Sequence, residues 1–105
     1  MDPQLKKGLL DVCVLSVISR GETYGYKMLK DLEPYISVSE STLYPILRRL
    51  ETNGYVVVHS VEHNGRLRKM YAITPEGMQD IKDFLEGWTQ VEKIYGYIKE
   101  GVESE

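Results

Sequence analysis

Two groups of polar side chains in this sequence are spaced to hold a polyanion. The first lies in the stretch 39–54, where Leu43, Ile46, Leu47 and Leu50 recur at i, i+3, i+4 and i+7 and so share one helical face. That places Ser41, Pro45, Arg48 and Thr52 on the opposite face, flanked by Tyr44 and Arg49. Small hydroxylated residues allow close approach and arginine reaches phosphates and base edges, which is the chemistry needed in a DNA major groove. The same pattern also describes an ordinary amphipathic helix with a solvated outer face. The second group is Arg66, Arg68 and Lys69, with His63 just ahead of an Asn64-Gly65 dipeptide. Cations at an exposed hairpin tip suit phosphate contact, and they equally suit a solvated edge that resists aggregation. The place of the basic hairpin, directly behind the helix, favours the polyanion reading of both.

Nothing else in the chain has the spacing of a catalytic or metal centre. His59 and His63 are four apart in a strand, about 13 Å at the usual rise, too far to share one ion. No nucleophile–base constellation, glycine-rich phosphate loop or paired carboxylate emerges, so no enzyme, cofactor or metal is expected. The single cysteine, Cys13, sits in an apolar run without a basic neighbour and reads as a small buried hydrophobe. A chain of 105 residues with a formal charge of −3 is one modest domain whose total charge speaks against nucleic acid. Its distribution speaks for it: residues 39–75 hold five bases and three acids, whereas 76–105 hold three bases and eight acids, and binding follows the local field. Lys6-Lys7 and the apolar run after them have the look of a signal peptide, but Asp11 interrupts the run and no small-residue cleavage site follows. No run is long enough to span a bilayer, and a cytoplasmic protein without membrane contact is expected.

The elements that must position these groups follow in order. Pro3 to Arg20 predicts a first helix, apolar nearly all round, with one side for its own core and the other, carrying Leu9 and Cys13, for a second subunit. Thr23 is expected to cap a second helix, Tyr24 to about Glu33, which Pro34 stops. Tyr24, at that helix N-terminus, is either a phosphate ligand or a core tyrosine. Residues 35–38 are expected as a short strand. Ser39 or Ser41 caps the third helix, Pro45 kinks it slightly and Asn53-Gly54 ends it. Tyr55 to His63 and Arg66 to Ile73 predict two strands joined by Asn64-Gly65, whose turn needs positive φ at both positions. Thr74-Pro75-Glu76 opens a last helix: a capping hydroxyl, proline at the first position and an acid at the positive end of the dipole. Along it Ile81, Phe84, Trp88, Val91, Tyr95, Ile98 and Val102 step by 3, 4, 3, 4, 3, 4, a heptad seam. A seam on so small a domain needs a partner, most economically the same helix or the first helix of a second copy. Gly87, Gly96 and Gly101 are expected to weaken this helix and fray its last turns.

Five motifs stand in the order and spacing of the PadR family of bacterial transcriptional regulators, which the chain resembles over almost its whole length. They are Tyr24-Gly25-Tyr26, Ser41-Thr42-Leu43-Tyr44-Pro45, Arg48-Arg49-Leu50-Glu51-Thr52-Asn53-Gly54, Gly65-Arg66-Leu67-Arg68-Lys69-Met70-Tyr71 and Thr74-Pro75-Glu76-Gly77. Ser41 stands where glycine is common and Met70 where tyrosine is common. The resemblance implies a mostly α fold with a β-hairpin wing (α+β): a winged helix-turn-helix over residues 1–74, whose first helix also serves the dimer, and a long C-terminal dimerisation helix over 75–105, together one compact unit. It implies a homodimeric repressor of a nearby operon that binds an inverted-repeat operator in double-stranded DNA and is released by a small effector. By position the DNA contacts fall to Ser39, Ser41, Thr42, Tyr44, Pro45 and Arg48 of helix 3 and to Arg66, Arg68 and Lys69 of the wing. Trp88 resembles the tryptophan on which some small members stack planar aromatic ligands between subunits. Glu92, one turn on, would favour a cationic ligand, and Leu5, Gly8, Asp11 and Val12 would line the same space. Otherwise Trp88 fills the dimer seam, with Ile81, Phe84, Val91, Tyr95 and Ile98 of the last helix and Leu9 and Cys13 of the first. From a different class, the acidic total also admits a winged-helix protein-interaction module that binds no DNA.

Overall fold

The computed structural model describes the backbone of residues 3–104 and the side chains of 8–104. Its elements are α1 (Pro3–Ser19), α2 (Gly25–Leu32), α3 (Glu40–Thr52), β1 (Val56–His63), β2 (Arg66–Ile73) and α4 (Pro75–Glu103). Four helices and one antiparallel hairpin make a mixed α+β, winged-helix layout with a long C-terminal helix.

The core is built from one face of each helix. Leu10, Val14, Leu15 and Ile18 of α1 meet Met28 and Leu32 of α2 and Leu43, Ile46, Leu47 and Leu50 of α3, with Val56 and Tyr71 of the hairpin closing the cluster. The i, i+3, i+4, i+7 spacing therefore turned the apolar side of α3 inward as expected, and left its hydroxyls and Arg48 outside. α1 is the hub, touching α2, α3, β2 and α4.

Local signals account for most element ends. Ser39 caps α3, its Oγ accepting from the Thr42 N–H at 3.3 Å. The helix runs through Pro45 to Thr52, and Gly54 follows at φ +78°. Asn64 and Gly65 take φ of +51° and +77°, the geometry that joins two strands in a tight hairpin; the register runs from Val56 opposite Ile73 to His63 opposite Arg66. Thr74 caps α4 by accepting from the Gly77 N–H at 3.1 Å and donates its own proton to the Gly54 carbonyl at 2.6 Å. The first turn of α4 is thereby clasped to the α3–β1 junction.

Three expectations are corrected. Thr23 does not cap α2: the N-cap is Tyr24, in extended conformation and without a side-chain cap bond. Thr23 instead pairs with Tyr71 as a one-residue third strand, N–H to carbonyl in both directions at 3.1 and 2.8 Å, with its hydroxyl buried and unpartnered. No strand forms at 35–38, because the Tyr35 and Ile36 N–H groups both turn back to the Leu32 carbonyl at 2.9 and 2.8 Å to close α2. α4 continues through Gly87, Gly96 and Gly101 to Glu103 rather than fraying.

α4 leaves the body of the domain. Ile81 packs against the core, Phe84 and Trp88 are half-buried, and beyond them Val91, Ile94, Tyr95, Tyr97, Ile98 and Val102 are exposed. The molecule measures 64 × 26 × 20 Å as a result. Among the described residues, no helix is long and apolar enough to cross a membrane.

Candidate nucleic-acid interface

The outward side of α3 begins with a hydroxyl cluster. Ser39 Oγ lies 3.0 Å from Ser41 Oγ and 3.0 Å from Thr42 Oγ1, all three residues exposed at the helix N-terminus. Free N–H groups and the positive dipole end at that place favour a phosphate. One turn further, the two adjacent arginines part company. Arg48 is exposed, whereas Arg49 reaches back to α1 and grips Asp11 with both ends of its guanidinium, Nη2 to Oδ1 at 2.8 Å and Nε to Oδ2 at 3.3 Å. Arg48 is thus the arginine left for a partner. Pro45 is half-buried.

Tyr44 does not stand straight out. A Cβ built on Gly25 would sit 2.8 Å from the Tyr44 hydroxyl and 3.3 Å from Cζ, so the ring lies across the first turn of α2. A side chain at position 25 would push the Tyr44 hydroxyl end aside. Beyond Tyr44 opens a cleft of about 720 Å³ between the start of α2 and the wing, lined by Tyr24, Tyr26, Tyr44 and Tyr71 and by His63, Arg66, Arg68 and Lys69. Within it the Arg68 guanidinium carbon lies 3.9 Å from the centroid of the Tyr24 ring. Arg68 is half-buried there, while Arg66 and Lys69 are exposed. Burial, then the neighbouring Tyr44 and Glu51, pushes the Tyr71 phenol above its ordinary range, so its ring stays neutral under the basic wing.

Of the residues singled out for DNA contact, Tyr24, Tyr44, Arg66, Arg68 and Lys69 are brought to one cleft, and Ser39, Ser41, Thr42 and Arg48 lie on the exposed side of α3. Gly25, Tyr26 and Tyr71 join them at the cleft; the motif Tyr24-Gly25-Tyr26 marks the first two in the sequence, and the end of the wing motif Gly65 to Tyr71 marks the third.

The residues singled out for a ligand or a second subunit lie on other surfaces. A second groove of about 690 Å³ runs between α1 and α4, with Leu9, Val12, Cys13, Val17, Ile81, Phe84 and Leu85 along its apolar wall. Burial pushes the Cys13 thiol above its ordinary range, which keeps it protonated and apolar. Trp88 stacks on Phe84, ring centroids 5.8 Å apart and planes inclined by 22°. Glu92 is exposed, and Gly8 faces open space. Asp11 is not part of this groove, being turned to Arg49 on the α3 side. The Leu5 side chain lies outside the described residues. Among the described residues, no group of His, Cys, Asp and Glu could hold a metal ion.

Residues 14–83 match the model of the transcriptional regulator PadR-like family. A curated relative is the negative transcriptional regulator PadR of Bacillus subtilis, 28% identical over 82 residues that make up 73% of this chain and 45% of the relative. The chain therefore spans less than half the length of that protein. Among solved structures, a PadR family transcriptional regulator from Eggerthella lenta superposes with a TM-score of 0.84 at 32% identity, over 92% of this chain and 87% of the other. Bacillus subtilis PadR in complex with operator DNA superposes with a TM-score of 0.66 at 26% identity, over 72% of this chain and 46% of the other.

Proposed function

The chain belongs to the PadR-like family of transcriptional regulators, and on that premise we propose that it is a dimeric, sequence-specific DNA-binding repressor. Members of this family are regulators, not enzymes. In this reading residues 1–74 bind DNA and 75–105 pair the subunits. α3 enters the major groove with Ser39, Ser41, Thr42, Tyr44 and Arg48, and Arg66, Arg68 and Lys69 of the wing hold the backbone. The observation that carries it is the convergence of Tyr24, Tyr44 and the three wing cations on one open cleft beside the exposed Arg48. The relative solved with operator DNA supports it. Pairing is supported by the exposed apolar face of α4 and the apolar groove against α1, each of which a second copy would cover. In such a dimer the two α3 helices would lie about 34 Å apart, one turn of the duplex.

Fluorescence anisotropy on duplex from the protein's own promoter region, repeated across salt, tests the reading. Each protomer offers Arg48, Arg66, Arg68 and Lys69 to phosphates or bases. A dimer whose three wing cations meet phosphates in both copies, with Arg48 on the bases, gives a slope of about −5 for log K against log salt, at about −0.9 for each phosphate neutralised. A slope near half that value would mean that one protomer binds alone. A flat response, or equal weak binding to every duplex, overturns the repressor in favour of a module for protein partners.

The regulatory half of the proposal places an effector beside Trp88, which is half-buried and stacks on Phe84, a residue of the groove wall. Stacking and cation–π attraction there fit a planar aromatic cation, with Glu92 one turn on to balance its charge. Such a compound is expected to quench emission from Trp88, the single tryptophan, and to weaken DNA binding by the factor by which DNA weakens its own. Quenching with operator affinity unchanged removes the effector and leaves the repressor standing.

A further inference from the structure

Tyr24 is the residue for which the sequence leaves two roles open, phosphate ligand or core tyrosine, and its surroundings fit neither. Its ring is half-buried but lies outside the core cluster, and its side chain makes no capping bond to α2. What the ring meets is a cation: Arg68 of the wing, 3.9 Å from its centroid. Little else holds Arg68. Its cross-strand neighbour on β1 is Val61, which offers it no charge, and among the described residues no carboxylate pairs with it. The tyrosine, by contrast, is well anchored. The residue before it is bridged in both directions to Tyr71, the Met28 N–H donates to the Tyr24 carbonyl at 3.0 Å, and Gly25 is wedged against Tyr44.

We propose that Tyr24 is a positioning residue for the wing: its ring is a shelf that holds the Arg68 guanidinium in the cleft, so that Tyr24 acts on DNA through Arg68 rather than through its own hydroxyl. A guanidinium stacked by its face keeps its N–H edge free, and an edge is what a phosphate oxygen accepts from. A free arginine on a hairpin must surrender side-chain freedom when it meets the phosphate; one already stacked has surrendered much of it in the unbound protein. The inference rests on the DNA-binding reading above, and its physical core can be tested without DNA.

The test uses Tyr24→Phe, Tyr24→Leu, Arg68→Ala and the combined Tyr24→Leu/Arg68→Ala protein. Phenylalanine keeps the shelf and is expected to bind within about twofold of the parent. Leucine removes the shelf and is expected to lose about 100-fold, close to the loss on Arg68→Ala, as for one charge-assisted contact of about tenfold in each of the two protomers. Its salt slope should also shrink by about 2, one phosphate contact being lost in each protomer of the dimer, although one uncharged side chain has replaced another. The combined variant should bind no more weakly than Arg68→Ala alone. If Tyr24→Phe loses as much as Tyr24→Leu, the hydroxyl itself meets the phosphate and the proposal falls. It falls equally if Tyr24→Leu leaves the salt slope unchanged or adds its loss to that of Arg68→Ala. In the free protein, NMR should find the Arg68 side-chain protons shifted upfield by the ring in the parent and in Tyr24→Phe, and unshifted in Tyr24→Leu. No shift in the parent overturns the shelf whatever DNA does. Should the parent bind no duplex, the repressor reading fails while this shift still decides the stack. Should Tyr24→Leu not fold, the parent and Tyr24→Phe decide it between them.

Discussion

Alanine at Arg48 is expected to weaken binding to the cognate duplex by about 100-fold or more, about tenfold or more for the base-reading arginine of each protomer, and to leave the unfolding midpoint unmoved. Alanine at the neighbouring Arg49 is expected to do the reverse. Arg48 is exposed on the outer face of α3, so its removal subtracts from the complex alone. Arg49 spends its guanidinium on Asp11 in a two-point grip between α3 and α1. That pair is about half in solvent, which limits its contribution to under about 1 kcal/mol, and Arg49→Ala should lower stability by no more than this while DNA binding stays within about threefold. Anisotropy and urea unfolding on the two variants decide it. Equal losses of affinity from both would mean that Arg49 leaves Asp11 to join the interface, and that the division of labour drawn here is wrong. Tyr44 is a less clean probe, because its ring also covers Gly25, and truncation would disturb the α2–α3 packing as well as the groove contact.

The largest stability effect is expected at Gly77. Helix propensity favours alanine over glycine by about 1 kcal/mol, which taken alone would make Gly77→Ala stabilising. Packing opposes it. Gly77 is buried in the first turn of α4, where an added Cβ would run into the Tyr55 carbonyl oxygen and come within 2.9 Å of Ile73 Cγ1. The carbonyl is backbone, and it is already fixed by the Thr74 N–H at 3.0 Å, so little can yield except the docking of α4 itself. Overpacking against rigid neighbours costs about 3 kcal/mol or more, leaving a net loss of about 2 kcal/mol. Gly87→Ala is the control: nothing lies within 4 Å of its added Cβ, and it should gain part of the propensity term. Urea midpoints, compared at one protein concentration because association would also shift them, should fall for the first variant and hold or rise for the second. A Gly77→Ala midpoint equal to the parent's would show that α4 re-docks at no cost.

The features that were legible in the sequence are those whose cause is local. Ser39, Thr74 and the Asn64-Gly65 pair act within four residues of themselves, through a cap or a turn dihedral, and each does in the structure what its type and position imply. The apolar face of α3 is equally local, since helical spacing alone defines it. What escaped was set by distant partners. Thr23 has the composition of a cap, but β2 offers it two backbone bonds at Tyr71, and those outweigh one side-chain bond to a helix end. Residues 35–38 have the composition of a strand, but the Leu32 carbonyl takes the Tyr35 and Ile36 N–H groups, which close α2 instead. The two arginines of α3 are adjacent and alike, and only Asp11, 38 residues from Arg49, separates their roles. The stack of Arg68 on Tyr24 likewise joins the second helix to the second strand, and no periodicity announces it.

The hub position of α1 has a consequence for the order in which the molecule can be made. Every element that covers the buried side of α1 lies later in the chain: α2 and α3 first, then β2, and then the start of α4. On a ribosome adding about 5–20 residues per second, Ile18 precedes Tyr71 by roughly 3–10 s. Through that interval Leu10, Val14, Leu15 and Ile18 can be covered only in part, by α2 and then α3, and the core cluster closes only when the last strand brings Tyr71. Synthesis therefore carries its greatest hazard of mispairing before the wing exists, and the wing that would read DNA is also the piece that ends that exposure.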